Sequence, residues 1–106
     1  MPASNYHLQF TPKAEEDLDA IYGYLFGTLS AASAANKLVE NIETGIMRLI
    51  EYPFSCQYVF DEPLKARGYR KLIVDNYLVF YLVNEAENQV IIMRILYGAS
   101  KYQDIL

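Results

Sequence analysis

The sequence predicts an α+β fold: one strand, a helix hairpin, then a three-stranded antiparallel meander, with the helices packed on one face of the sheet. Three observations carry this. Residues 69–98 hold three strand-like runs, Y-R-K-L-I-V, Y-L-V-F-Y-L-V and Q-V-I-I-M-R-I-L-Y, separated by the polar turns D-N and N-E-A-E-N. Two long stretches of helical periodicity precede them. Ahead of both, residues 6–10 alternate apolar and polar side chains. A length of 106 residues suits one domain, 1–106, built around one hydrophobic core.

Each element has a local cause. Tyr6, Leu8 and Phe10 alternate with His7 and Gln9, as in a half-buried strand. Thr11-Pro12 supplies a cap and a proline suited to the first helical position. Glu15, Glu16 and Asp17 follow, where the helix dipole favours acids. Ala14, Leu18, Ile21, Tyr22 and Leu25 make one apolar stripe, and Gly27 is the expected stop. Ser30 is the expected cap of a second helix running to Glu51, because Pro53 disfavours helix at Tyr52. Leu38, Ile42, Gly45 and Leu49 line one side of it, widened by Val39, Ile46 and Ile50. So broad a stripe suits a helix that touches both its partner helix and the sheet. Glycine costs about 1 kcal/mol against alanine in a helix, so close approach of another element is the expected reason for Gly45. Met47 should project opposite the stripe. Residues 53–68 resist assignment. They allow a short strand at Gln57–Phe60; a connection this long is often functional, and the alternative is a surface crossing pinned by burial of Phe54, Tyr58 and Phe60. Asp75-Asn76 reads as a two-residue hairpin. Tyr77–Val83 is apolar on both faces, which predicts a central strand covered on both sides.

Composition bounds the function. With 53% hydrophobic and 21% charged residues the chain is globular rather than disordered. Its longest apolar run, Tyr77–Val83, is far shorter than the roughly 20 residues of a membrane-spanning helix. Met1–Asn5 shows no leader pattern, and the single Cys56 cannot form an internal disulfide. A cytoplasmic protein without a membrane partner is expected. Net charge is −4, unevenly spread. Residues 1–52 set three cations (Lys13, Lys37, Arg48) against seven acids, giving −4, whereas residues 53–106 balance six against six. A globally acidic chain is a poor general binder of nucleic acid.

Within the second half, Lys65, Arg67, Arg70 and Lys71 fall together with no acid between them. The cluster can hold a phosphate or an acidic partner segment; it can equally keep a strand edge soluble. Arg94 interrupts the apolar run V-I-I-M-R-I-L-Y. It must either pair with a carboxylate or open onto a basic surface shared with Arg70 and Lys101, where Tyr97 and Tyr102 could donate hydroxyls. One histidine, His7, and one cysteine cannot build a usual zinc site, and no glycine-rich phosphate loop is present, so neither metal nor cofactor is expected. His7 reads as solvated and Cys56 as a small buried hydrophobe.

The order of elements, together with F-T-P-K-A-E-E-D-L-D-A-I-Y-G-Y-L, N-I-E-T-G-I-M-R-L-I-E-Y-P, Y-R-K-L-I-V-D-N-Y-L-V-F-Y-L-V and I-M-R-I-L-Y-G-A-S-K-Y-Q-D-I-L, resembles the RelE/ParE superfamily of bacterial type II toxin–antitoxin modules over nearly the whole chain. The resemblance implies a small toxin held in a hetero-oligomer by a cognate antitoxin that covers the helix pair and part of the sheet; Met47 and Tyr24 are the candidate antitoxin contacts. It also implies one of two targets. RelE-like members cut messenger RNA on the ribosome, and ParE-like members poison DNA gyrase without hydrolysis. RelE-like members commonly carry Y-R-x-x-Y in the central strand. Here the arginine's place is Leu78, within Y-L-V-F-Y, and the family's frequent C-terminal arginine or histidine is replaced by Tyr97 and Ser100. The ParE-like branch is therefore favoured, and an enzyme is not expected. On that reading Lys65, Arg67, Arg70, Lys71, Arg94 and Lys101 are target-binding candidates. On the ribonuclease reading Arg70, Lys71, Arg94, Tyr97 and Tyr102 would form the site. A non-toxic binding module is a third possibility.

Overall fold

Periodicity two at the start, 3.6 through the middle and two again at the end produce seven elements. They are β1 (His7–Phe10), α1 (Pro12–Thr28), α2 (Ala32–Glu51), α3 (Glu62–Ala66), β2 (Arg70–Val74), β3 (Tyr77–Asn84) and β4 (Gln89–Tyr97). The computed structural model describes residues 6–28, 32–98 and Leu106. The cap expected at Ser30 and the candidate residues Lys101 and Tyr102 lie outside them. The strands form one sheet in the order β1-β4-β3-β2. The meander β2-β3-β4 is antiparallel, as the turns foretell, and β1 joins its far edge parallel to β4. The hairpin at Asp75-Asn76 forms, with Asp75 at φ 53°, a left-handed conformation that Asp tolerates better than most residues. Phe80 faces Arg94 and Tyr81 faces Ile92, so Met93 is the extra residue of a β-bulge.

β1 is short, and past Phe10 the edge of β4 is closed by α1. Thr11 donates its N–H to the Ile92 carbonyl at 3.1 Å and its hydroxyl to the Met93 carbonyl at 2.9 Å. The same hydroxyl accepts from the Ala14 N–H at 3.0 Å, which caps the helix. One residue thus ends a strand, starts a helix and ties both to β4.

Two apolar clusters share the sheet. On one face Ala14, Ile21, Ile42, Ile46 and Leu49 of the helices pack against Val74, Val79, Tyr81, Val90, Ile92 and Ile95. The stripe read from α2 is the stripe it buries. Gly45 has the expected cause: a Cβ there would meet Leu72 Cδ2 at 3.2 Å and Val74 Cγ2 at 3.3 Å. Tyr81 is fully buried, donates its hydroxyl to the Pro53 carbonyl at 3.0 Å, and is pushed by that burial well above the ordinary phenol pKa. On the opposite face Phe80 and Leu96 pack with Val59, Leu64 and Tyr69, joined by Leu78, Leu82, Met93 and Leu106. β3 is covered on both sides, as its sequence demands.

The connection between α2 and β2 departs from expectation. Its aromatics do not pin it: Phe54, Tyr58 and Phe60 are exposed, Phe60 by 82%. The anchors are Pro53, Val59 and Leu64, which are buried. The expected strand shrinks to one bridge, Tyr58 to Arg70, flanked by Val59 N–H to Tyr69 O at 3.0 Å and Lys71 N–H to Gln57 O at 3.2 Å. The helix α3 follows, capped by the Asp61 side chain on the Leu64 N–H and carrying Pro63 in its first turn. Gly68, at φ 89°, supplies the left-handed residue that turns the chain into β2.

Candidate functional site

The basic cluster wraps an edge and does not line a single face. Successive strand residues point to opposite sides of a sheet, so Arg70 and Lys71 part company. Arg70 stands opposite Tyr81, in the cluster beneath the helices, and Lys71 stands opposite Phe80, in the cluster on the other face. The exposed connection supplies an aromatic partner to each. The Arg70 guanidinium carbon lies 4.1 Å from the Tyr58 ring centroid and 5.1 Å from that of Phe54, and its Nη1 donates to the Cys56 carbonyl at 2.6 Å. Lys71 Nζ is 5.7 Å from the Phe60 ring, and the Arg67 guanidinium is 5.1 Å from that of Tyr69. These are cation–π distances. Arg70 and Lys65 line a groove of about 360 Å³ with Phe54, Tyr58 and Phe60. None of Lys65, Arg67, Arg70 and Lys71 forms an ion pair with a described residue. No described acid neutralises their charge.

Arg94 does not belong to this surface. It donates to both oxygens of Asp17, Nε at 2.7 Å and Nη2 at 2.9 Å, and Asp17 also accepts from the Ile95 N–H at 3.0 Å. These hydrogen bonds raise the Arg94 pKa above its ordinary value. Both side chains are mostly buried, at 20% and 14% exposure. The carboxylate alternative read from the sequence is the one realised, and the shared basic face of Arg70 and Arg94 does not form.

Tyr97 is likewise distant from the cations. It faces Tyr77 across β3, whereas Arg70 faces Tyr81. Four residues of strand separate those rungs, about 13 Å. Tyr97 joins Tyr24 and Tyr77 around a pocket of about 440 Å³ at the other end of the sheet. Met47, 56% exposed, stands well round α2 from the buried stripe, and its long side chain reaches the rim of a groove beside it. It lines this apolar groove with Leu8, Phe10, Leu18, Ile42 and Ile46. Cys56 is half-buried against the helix-side core, and His7 is exposed.

Two sets of residues escaped the sequence reading. Phe54, Tyr58 and Phe60 looked like core, yet they interleave with polar residues just ahead of a cation cluster, which is the pattern of an aromatic–basic surface. Tyr77 was absorbed into the apolar strand, although the symmetry of the meander places it across from Tyr97.

The model of the ParE toxin of the parDE type II toxin–antitoxin system matches residues 8–102. The chain belongs to the ParE toxin family. Comparison with curated proteins gives no match. Among solved structures, the chromosomal ParDE toxin–antitoxin system of P. aeruginosa is 26% identical, with a TM-score of 0.65, covering 87% of this chain and 95% of that one. E. coli RelE, as a mutant in the free state, superposes with a TM-score of 0.63 at 15% identity, covering 99% and 100%. The RelBE2 complex of Mycobacterium tuberculosis gives 0.61 at 16%, covering 92% and 99%. The α+β architecture of this toxin is thus that of the RelE/ParE superfamily, and its sequence leans to the ParE side.

Proposed function

We propose that this toxin arrests growth by binding DNA gyrase without cutting RNA, and that a cognate antitoxin neutralises it by covering the helix pair. The observation that carries the reading is Leu78. At the place where RelE-like members commonly carry an arginine, this chain packs a leucine into the apolar cluster of Phe80, Leu82, Met93 and Leu96. Cleavage through the 2′-hydroxyl needs fixed donors on the phosphate as its charge develops, and loss of one donor costs about 3 kcal/mol of barrier lowering. A leucine supplies none. Of the other ribonuclease candidates, Arg94 is neutralised by Asp17 and Tyr97 stands about 13 Å of strand from Arg70. What stays available is the edge of Lys65, Arg67, Arg70 and Lys71 with its exposed aromatics, a surface made for gripping a macromolecule.

Purified toxin should inhibit supercoiling by gyrase while messages in induced cells stay intact. Gyrase unaltered at saturating toxin would overturn the target. Ribosome-dependent cleavage of messages would favour the second reading, a RelE-type endoribonuclease acting through Arg70 and Lys71, for which the absence of ion-pair partners at those two residues among the described ones is the supporting observation.

A further inference from the structure

Three tyrosines that the sequence scatters over 74 positions meet at one end of the sheet. Tyr24 comes from the last turns of α1, Tyr77 opens β3 and Tyr97 closes β4. Tyr77 and Tyr97 are cross-strand neighbours with ring centroids 5.8 Å apart and planes at 72°, so they form two adjoining walls; Tyr24 lines the same pocket. The base is fixed. The Gly98 N–H donates to the Asn76 carbonyl at 2.7 Å, and Asn41 of α2 holds the hairpin through the Asp75 carboxylate at 3.3 Å. Tyr24 and Tyr97 are 55% and 54% exposed, so their rings are open to a partner. None of the three hydroxyls has a hydrogen-bond partner among the described residues. Burial, and after it the neighbouring Tyr24 and Tyr97, raise the Tyr77 phenol above its ordinary value, so its oxygen stays neutral, polar and free to accept.

The chemistry of such a pocket selects its occupant. Ring faces are electron-rich and attract cations, arginine more often than lysine. A guanidinium is planar, stacks on an aromatic face, and presents five N–H donors that phenol oxygens can accept. The surroundings agree in sign. Asp75 precedes Tyr77 by two residues and is held by Asn41, whose neighbour Glu40 is exposed. The cation-bearing edge of β2 would repel a basic segment, so the two surfaces call for partners of opposite charge. We propose that Tyr24, Tyr77 and Tyr97 form a receptor for an arginine side chain presented by the antitoxin. The assignment to the antitoxin rests on the function proposed above; the receptor does not.

The test separates the two. The toxin labelled with ¹³C-tyrosine is titrated with acetyl-Gly-Arg-Gly-Arg-Gly-amide, with the lysine analogue, and with the analogue carrying neutral citrulline. The ring signals of Tyr24, Tyr77 and Tyr97 should shift together, the lysine peptide should bind at least fivefold more weakly, and the citrulline peptide should not saturate. Tyr97→Leu should weaken the arginine peptide at least fivefold and Tyr97→Phe less, with amide spectra showing both variants folded. Equal binding of the citrulline peptide, shifts confined to other residues, or Tyr97→Leu without effect would overturn the receptor. If the receptor holds but the antitoxin encoded beside the gene binds the Tyr97→Leu toxin unchanged, the assignment of the arginine to the antitoxin is wrong.

Discussion

Asp17 makes three hydrogen bonds to the last strand, two to the Arg94 side chain and one to the Ile95 backbone. It satisfies a ladder donor of β4 where β1 has ended, and it neutralises a cation that the strand could not otherwise bury. Removing it leaves both groups without their acceptor. Asp17→Ala should therefore lower stability by about 2–3 kcal/mol in urea denaturation, towards the lower end of what a broken buried pair costs because the site keeps some water contact. Arg94→Leu should cost less, since the carboxylate left behind keeps the Ile95 N–H. If the two substitutions cost the same, the backbone contact contributes nothing.

Among elements, α2 and β2 meet at Gly45. A single methyl there needs a few tenths of an ångström from Leu72, a flexible side chain, and from Val74, a stiffer one, and regains helix propensity of up to about 1 kcal/mol. Gly45→Ala should stay within about 1 kcal/mol of the parent, while Gly45→Leu should cost about 2–3 kcal/mol by forcing the two elements apart. Thermal melts of the pair would check this, and a tolerated leucine would show that the contact is slack. This position also shows why much of the fold was legible. A broad apolar stripe interrupted by glycine has few physical explanations, just as seven apolar residues bounded by polar turns have few. The connection before β2 was not legible for the opposite reason. Burial is the default for an aromatic side chain, and nothing local says that Val59 and Leu64 take the core positions while Phe60 faces solvent. Asp61 and Pro63 did mark α3, but a five-residue helix lacks periodicity. The candidate site was legible as a set of cations but not as an arrangement. Only the folded arrangement shows that β2 is an edge strand with Arg70 and Lys71 on its two sides, and that Arg94 bonds to Asp17 of α1.

On the whole-molecule scale the toxin carries a basic, aromatic edge at one place and an acidic helix pair with an apolar groove at another. If these serve target and antitoxin respectively, their substitutions must separate. The double variant Lys65→Glu, Lys71→Glu should abolish growth arrest on induction and weaken target binding at least about tenfold while leaving antitoxin affinity unchanged, because reversed charges act on a complementary partner. Met47→Asp should do the converse by placing a charge on the groove's rim; calorimetry with the antitoxin and a growth assay would read both. One surface serving both partners would make each variant lose both activities.

The parallel pairing of β1 with β4 has a consequence in time. The earliest strand to be made must wait for the last, and the Asp17–Arg94 contact spans 77 positions of chain. Neither can form while β4 is still to be synthesised or is hidden inside the ribosome. Non-local closure of this kind is slow, so the sheet and the helix layer docked on it are complete only once the final strand has emerged.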